Sequence, residues 1–293
     1  MSEYPATPEG WTAVERRTVG PFTTHVSYRL PDGGRATWSS RRHRKRASLL
    51  SRGRERHDGV WWAPRNASWW IGVLFSIGST CFFVGPIPGF VELVGSAVDG
   101  AVFFVGSIFF TTAAGLQCVE TFNADRAPGG RGGRPFRLVA FEPRRIDWWA
   151  VVVQFAGTIA FNVSTFRAMS TGIDDVAYNR LVWAPDAYGS VWFLVSGYLA
   201  YLEICGAPAC RPRRTLEWWI AAVNLIGCIA FGISAVASYV VPSTGSVADL
   251  AAANGFTSLG GLCFLAGAVM LLPEAAGTRP SPAPPSSAAV APA

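Results

Sequence analysis

Two side-chain amides stand inside otherwise apolar stretches: Gln154 in WWAVVVQFAGTIAF and Asn224 in WWIAAVNLIGCIAF, each three residues before a glycine. An amide in hydrocarbon is costly unless it is bonded, so both are expected to face protein rather than lipid. Two readings follow. The amides can line a polar path for a small solute or ion, or each can close a helix–helix hydrogen bond, the commoner arrangement, worth about 0.6 kcal/mol on average in membranes. Asn162 invites the second reading. Three glutamates, Glu120, Glu203 and Glu274, end apolar segments. They could form a carboxylate ring, or each could offset the arginines of neighbouring loops at the wet interface, as charges at helix ends ordinarily do. Asp174 and Asp175, with Tyr178 close by, could hold a cation, although paired acids in a loop are usually solvated.

The residues for covalent or acid–base catalysis are missing. His25, His43 and His57 all precede the apolar segments, so no histidine can act as a base among them. Walker A, HExxH, GxSxG and calcium-loop patterns do not occur. The six cysteines, Cys81, Cys118, Cys205, Cys210, Cys228 and Cys263, lie mostly in apolar segments and form no CxxC. There cysteine behaves as a small hydrophobe. Neither a zinc site nor a disulfide framework is expected, and the chain reads as a non-enzyme with no cofactor and no metal.

The elements that must position the amides read as membrane helices. Half of the 293 residues are hydrophobic and 15% are charged, against roughly a quarter charged in soluble domains. Six segments have the length and polarity of spans, at about 68–86, 98–118, 148–167, 188–206, 217–240 and 252–273. The linkers alternate in charge. Arginines crowd the N-terminal arm, the 119–147 loop and the 207–216 loop, whereas the other linkers carry Glu92, Asp99, Asp174, Asp175, Asp186 and Asp249 beside only Arg167 and Arg180. Basic residues mark the cytoplasmic side, so both termini are expected there. The near-exclusive use of arginine over lysine suits a GC-rich bacterial genome, and hence an inner (plasma) membrane.

Around this domain, 68–274, the chain divides simply. Residues 1–20 are polar and expected to be disordered. Residues 21–67 are expected to be a basic cytoplasmic arm, in which FTTHVSYRL and RATWSS flank Pro31-Asp32-Gly33-Gly34 as a β-hairpin. The run from Arg41 to Arg56 fits anionic lipid headgroups, at about 1 kcal/mol per basic side chain near the surface, better than nucleic acid. The Pro/Ala-rich tail, 275–293, is expected to be disordered.

One pattern recurs. Trp69-Trp70, Trp148-Trp149 and Trp218-Trp219 each precede a glycine (Gly78, Gly157, Gly227) and then a phenylalanine (Phe82, Phe161, Phe231) at constant spacing, with arginine just upstream. Trp belongs at the headgroup level and Arg outside it, so each pair is expected to anchor a helix start at the cytoplasmic interface. The architecture is therefore all-α: six spans as three parallel-repeat hairpins. At 100° per residue the glycine lies about 80° and the phenylalanine about 120° from the second Trp. Cys81, Ala160 and Ala230 fall in the same stripe. Such small residues let backbones approach, which makes the stripe the candidate seam between one hairpin and the next.

The first hairpin, FSIGSTCFFVG followed by FFVGSIFFTTAAGLQCVE, resembles the YrhK-like domain of bacterial membrane proteins, whose two apolar helices each carry an F-x-x-GS-x-x-F element. The likeness covers 65–122 and implies a helical membrane hairpin without catalytic residues. Two tasks remain open: organising lipids, a second copy or another membrane protein through the stripe faces and the basic arm, or passing a small solute between the hairpins beside Gln154 and Asn224.

Overall fold

A computed structural model describes residues 5, 7, 9–41, 61–124, 136–170 and 174–277. Residues 42–60 of the expected basic arm and 278–293 of the expected tail lie outside the described residues.

The N-terminal region is a three-stranded antiparallel sheet in the order β1 (Thr12–Val19), β2 (Phe22–Arg29), β3 (Arg35–Ser39). The expected hairpin is β2–β3. Its register runs from Arg29↔Arg35 to His25↔Ser39, and Gly33 at φ +82° completes a turn in which Asp32 accepts from Gly34 N–H. β1 corrects the expectation of disorder over 1–20. It is an edge strand whose residues are almost all exposed on both faces, so no apolar alternation announced it. Pairing with β2 creates it, and it supplies the third strand that a marginal hairpin needs. Val26, Tyr28 and Trp38 form a small core beneath Trp11.

The rest is helical: α1 (Ala67–Val84), α2 (Phe90–Val94), α3 (Ser96–Phe122), α4 (Ile146–Ala168), α5 (Asp175–Tyr178), α6 (Ala184–Cys205), α7 (Leu216–Ala237) and α8 (Leu250–Gly277). A π turn, Asn179–Trp183, joins α5 to α6, and a two-residue ribbon, β4 (Val240–Val241) with β5 (Ser246–Val247), joins α7 to α8. Five helices, α1, α3, α4, α7 and α8, are long and apolar enough to cross a membrane. α6, expected as the sixth span, is not among them. Pro185, Asp186 and Glu203 at its ends and Tyr188, Ser190, Ser196, Tyr198 and Tyr201 along it lower its mean hydropathy.

The six long helices close a ring. α1 packs on α3, α3 on α4, α4 on α6, α6 on α7, α7 on α8, and α8 returns to α1. The starts of α1, α4 and α7 and the ends of α3, α6 and α8 gather at one end, beside the sheet, as their cross-links show. Ser68 of α1 bonds Glu120 of α3, Arg145 at the head of α4 bonds Thr121 O, and Asn66 donates to Ala275 O at 2.9 Å.

The glycines of the stripe do not face the next hairpin; they lock each helix to its own hairpin partner. A β-carbon on Gly78 would stand 2.8 Å from the Phe110 ring, and one on Gly106 3.3 Å from Phe82 and 2.6 Å from Cys81. The same exchange links Gly157 with Phe193 and Gly189 with Phe161, then Gly227 with Phe264 and Gly260 with Phe231. Ala160 and Ala230 share the stripe, Ala230 fully buried. A wheel drawn on one helix gives the small face but not which neighbour takes it. Contacts between hairpins include several hydrogen bonds. Ser107 meets Thr165 at 3.0 Å, Asn162 donates to Thr111 Oγ1 at 2.8 Å, and Ser258 donates to Phe83 O at 2.6 Å.

The phenylalanines meet on the ring axis. Phe82, Phe161 and Phe231 form one triangle with centroid separations of 5.8–6.4 Å. Phe110, Phe193 and Phe264 form a second, at 5.9–6.4 Å. Each ring of one triangle contacts its hairpin partner in the other, at 4.9–5.5 Å. Aromatic pairs contribute about 0.5–1.5 kcal/mol beyond burial, so nine of them make a firm plug across the bundle.

Candidate functional site

The plug divides the axis, and the half toward the sheet is hollow. A cavity of about 80 Å³ lies there, several times the roughly 10–15 Å³ that one water needs. Its floor is the triangle Phe110, Phe193 and Phe264, with Phe75 beside it. Its walls draw on all six long helices, and three amides face it: Gln117, Gln154 and Asn224. The two amides singled out from the sequence are thus brought to one chamber, and no hydrogen bond joins them among the described residues. Gln117 does not stand out in the sequence, because Glu120 and Thr121 follow it at the end of its segment. Its Oε1 is buried without a hydrogen-bond partner among the described residues. A buried acceptor left bare costs about 1–3 kcal/mol, so a water or solute that donates to it would recover that loss.

Of the three glutamates, Glu120 lines the cavity mouth, and Glu274 lies behind it, bonded to Arg41, which also lines it. Glu120 and Glu203, 3% and 6% exposed, are not solvated helix ends, which corrects the view that they merely offset loop charge at a wet interface. Glu120 accepts from Ser68 Oγ, and Glu203 accepts from Ser40 Oγ at 2.5 Å. Glu274 binds Arg41 with both oxygens, each 3.3 Å from a guanidinium nitrogen. Ser40 and Arg41 follow β3 directly, so the sheet sets them over the mouth. Arg41 is 8% exposed and lines the cavity. It is therefore no headgroup contact, unlike what its place at the start of the basic run suggested. Burial works against its charge, but Glu274, Glu203 and Glu217 outweigh that and hold its pKa above the ordinary arginine value.

The tryptophan pairs divide their labour. The second of each, Trp70, Trp149 and Trp219, is exposed as an interface anchor should be. The first of each, Trp69, Trp148 and Trp218, is buried, which corrects the expectation that all six are anchors. Their indoles reach back eight residues, to Trp61 O, Ala140 O and Cys210 Sγ, and so pin the incoming loop against the helix start. Trp70 and Trp149 also donate to Pro64 O and Pro143 O, six residues back. Cys210 is disulfide-bonded to Cys205, a pairing that the absence of CxxC had argued against. The two sulfurs meet because Gly206, at φ +68°, turns the chain sharply at the end of α6.

At the α3–α4 corner Arg145, expected just outside the headgroups, is 3% exposed. It bonds Thr121 O at 3.0 Å, Glu142 at 2.6 Å and Asp147 through two nitrogens. Removing one partner of a buried ion network costs about 3–5 kcal/mol, since the others stay buried and uncompensated. Arg145→Ala is expected to lose that much in detergent unfolding, whereas Arg144→Ala should be near neutral.

Among the described residues no group of His, Cys, Asp and Glu is placed to hold a metal ion. No family model, curated protein or solved structure matches the chain.

Proposed function

We propose that the chain is a six-span inner-membrane protein of three parallel hairpin repeats, and that it is a small permease or channel whose axial cavity receives a polar solute from the cytoplasmic side. The observation that carries this reading is the hollow of about 80 Å³ lined by Gln117, Gln154 and Asn224 above a floor of phenylalanines. A bundle with only a structural task has no use for three amides around a void, since apolar packing would fill it at lower cost. α6 completes the membrane ring. It sits between α4 and α7, and its outer face shows Val191, Trp192, Leu194 and Val195, a surface fit for lipid. The repeat is supported by the matched phenylalanine triangles and by the three inward tryptophans. The likeness of 65–122 to YrhK-like hairpins fits the same plan. Arginine-rich loops at the sheet end support a cytoplasmic position for that end and for both termini.

The test is the double substitution Gln154→Leu and Asn224→Leu. The bundle is expected to unfold at an equal or higher temperature, because two bare amides leave the interior. Osmotic uptake of urea, glycerol and methylammonium by proteoliposomes is expected to exceed that of protein-free vesicles for at least one solute, and the double variant should abolish the excess. Equal uptake by both proteins would contradict the reading.

A second reading, a non-enzymatic protein that organises lipids or partners, is favoured by the loop before α4. There Phe136, Leu138, Val139 and Phe141 are all exposed and interleave with Arg137, close to Arg144. Apolar side chains at interface depth with arginines beside them fit anionic lipid. Replacing all four with serine is expected to weaken co-purification of anionic lipid and to leave solute uptake unchanged.

A further inference from the structure

The cavity has one feature that a passive pore for neutral solutes would not need. Its mouth is acidic, and the group seated there is a guanidinium supplied by the chain itself. Arg41 arrives from β3, outside the helical ring, and reaches across to Glu274 at the end of α8, while its neighbour Ser40 reaches Glu203 at the end of α6. The contact crosses 233 residues of sequence, so it fastens the arm to the mouth rather than stabilising one helix end. The guanidinium is buried and forms part of the cavity wall together with Ser68, Glu120 and Gln117.

We propose, resting on the solute-binding reading, that Arg41 is a tethered occupant of a cation site. When the arm withdraws, the mouth takes a small solute bearing a guanidinium or primary ammonium group. Glu274 pairs with the charge as it now pairs with Arg41, and the amide oxygens of Gln117, Gln154 and Asn224 accept the remaining N–H groups deeper in. The geometry suits a planar donor fork, because carboxylate and guanidinium meet through two parallel contacts. Five N–H donors against carboxylate and amide acceptors also match the chamber in kind, since its lining offers acceptors at both mouth and wall. A tethered arginine competes as a ligand at high effective concentration. The resting chain therefore admits such a cation only in competition with Arg41.

Urea has the shape of guanidinium without its charge, and so separates the two levels of the claim. Full-length protein in lipid nanodiscs is titrated with methylguanidinium and with urea, following both heat of binding and melting temperature. For Arg41→Ala, methylguanidinium is expected to bind at least tenfold tighter than to the native chain and to restore melting temperature lost with the arginine. Arg41→Ala/Glu274→Gln is expected to lose that affinity. If Arg41→Ala does not fold, Arg41→Met keeps the stem's volume and removes the charge. Equal binding of urea and methylguanidinium to Arg41→Ala would overturn the cation site and leave the solute cavity standing. Binding of neither to a folded Arg41 variant, or methylguanidinium binding that survives Glu274→Gln, would overturn the proposal, while uptake by the native chain and its Gln154/Asn224 double variant judges the cavity separately.

Discussion

Gly261→Ala is expected to open the helical ring where it closes, between α8 and α1. A β-carbon there would stand 2.5 Å from the amide nitrogen of Phe83 and 2.7 Å from the carbonyl carbon of Phe82. Both are backbone atoms, so no side-chain rotation can relieve the clash, and the two helices must move apart. Overpacking of a tight interior costs about 1–3 kcal/mol. The upper end is expected here, because Ser258 loses its bond to Phe83 O at the same seam. Gly232→Ala is the matched control. Nothing lies within 4 Å of its β-position, and alanine in a helix interior gains about 0.5–1 kcal/mol over glycine. The same substitution is therefore expected to lower the unfolding midpoint at 261 and to hold or raise it at 232. Equal shifts at the two sites would mean that α1 and α8 do not meet as described.

The second large effect concerns the plug. Phe193→Ala removes the ring that covers Gly157, that belongs to the inner triangle and that floors the cavity. Burial of a phenylalanine in a core is worth about 3–5 kcal/mol over alanine. Part of that is absent in lipid, where packing rather than water exclusion drives helix association, so a loss near 3 kcal/mol is expected. Phe193→Ala should also join the cavity to the narrow gap between the two triangles, a space of about 10 Å³, and raise solute leak. Gly157→Ala alone is expected to be harmful, because its methyl would sit 2.6 Å from the Phe193 ring. In the Phe193→Ala background the same methyl enters vacated space. The double variant should therefore be more stable than the sum of the singles predicts, a coupling that a double-mutant cycle reads directly.

Much of this architecture is visible in residue order, and the failures have identifiable causes. Charge alternation located the sheet end of the bundle, because arginine outside and apolar residues inside is a thermodynamic pattern of single segments. The stripe of Gly78, Gly157 and Gly227 with Phe82, Phe161 and Phe231 was legible for the same reason. Its partner was not, although the signal was present. The partner helices α3, α6 and α8 carry the same glycine and phenylalanine four apart, at Gly106/Phe110, Gly189/Phe193 and Gly260/Phe264, and each has a glutamate ten residues beyond its phenylalanine. They have no tryptophan pair to align them.

Gln154 and Asn224 were found because amides stand out in hydrocarbon. Gln117 and the buried state of Glu120 and Glu203 depend on the closure of six helices, which no local pattern encodes. Arg41 was hidden at the start of a basic run, where its neighbours' composition outweighed its own position two residues beyond β3. β1 was hidden because an edge strand with both faces exposed has no periodicity to detect.

The central claim is that a polar cavity lies on the axis, opens toward the sheet end and is sealed on the other side by phenylalanines. Cysteine accessibility at position 154 tests it most directly. A chain with its native cysteines replaced and Gln154→Cys introduced is reconstituted in vesicles and treated from each side with a membrane-impermeant thiol reagent, with and without Arg41→Ala. Labelling is expected only from the side that carries the N-terminal sheet, and faster when Arg41 is replaced. Labelling from the opposite side, or none from either side in the Arg41→Ala background, would contradict the account.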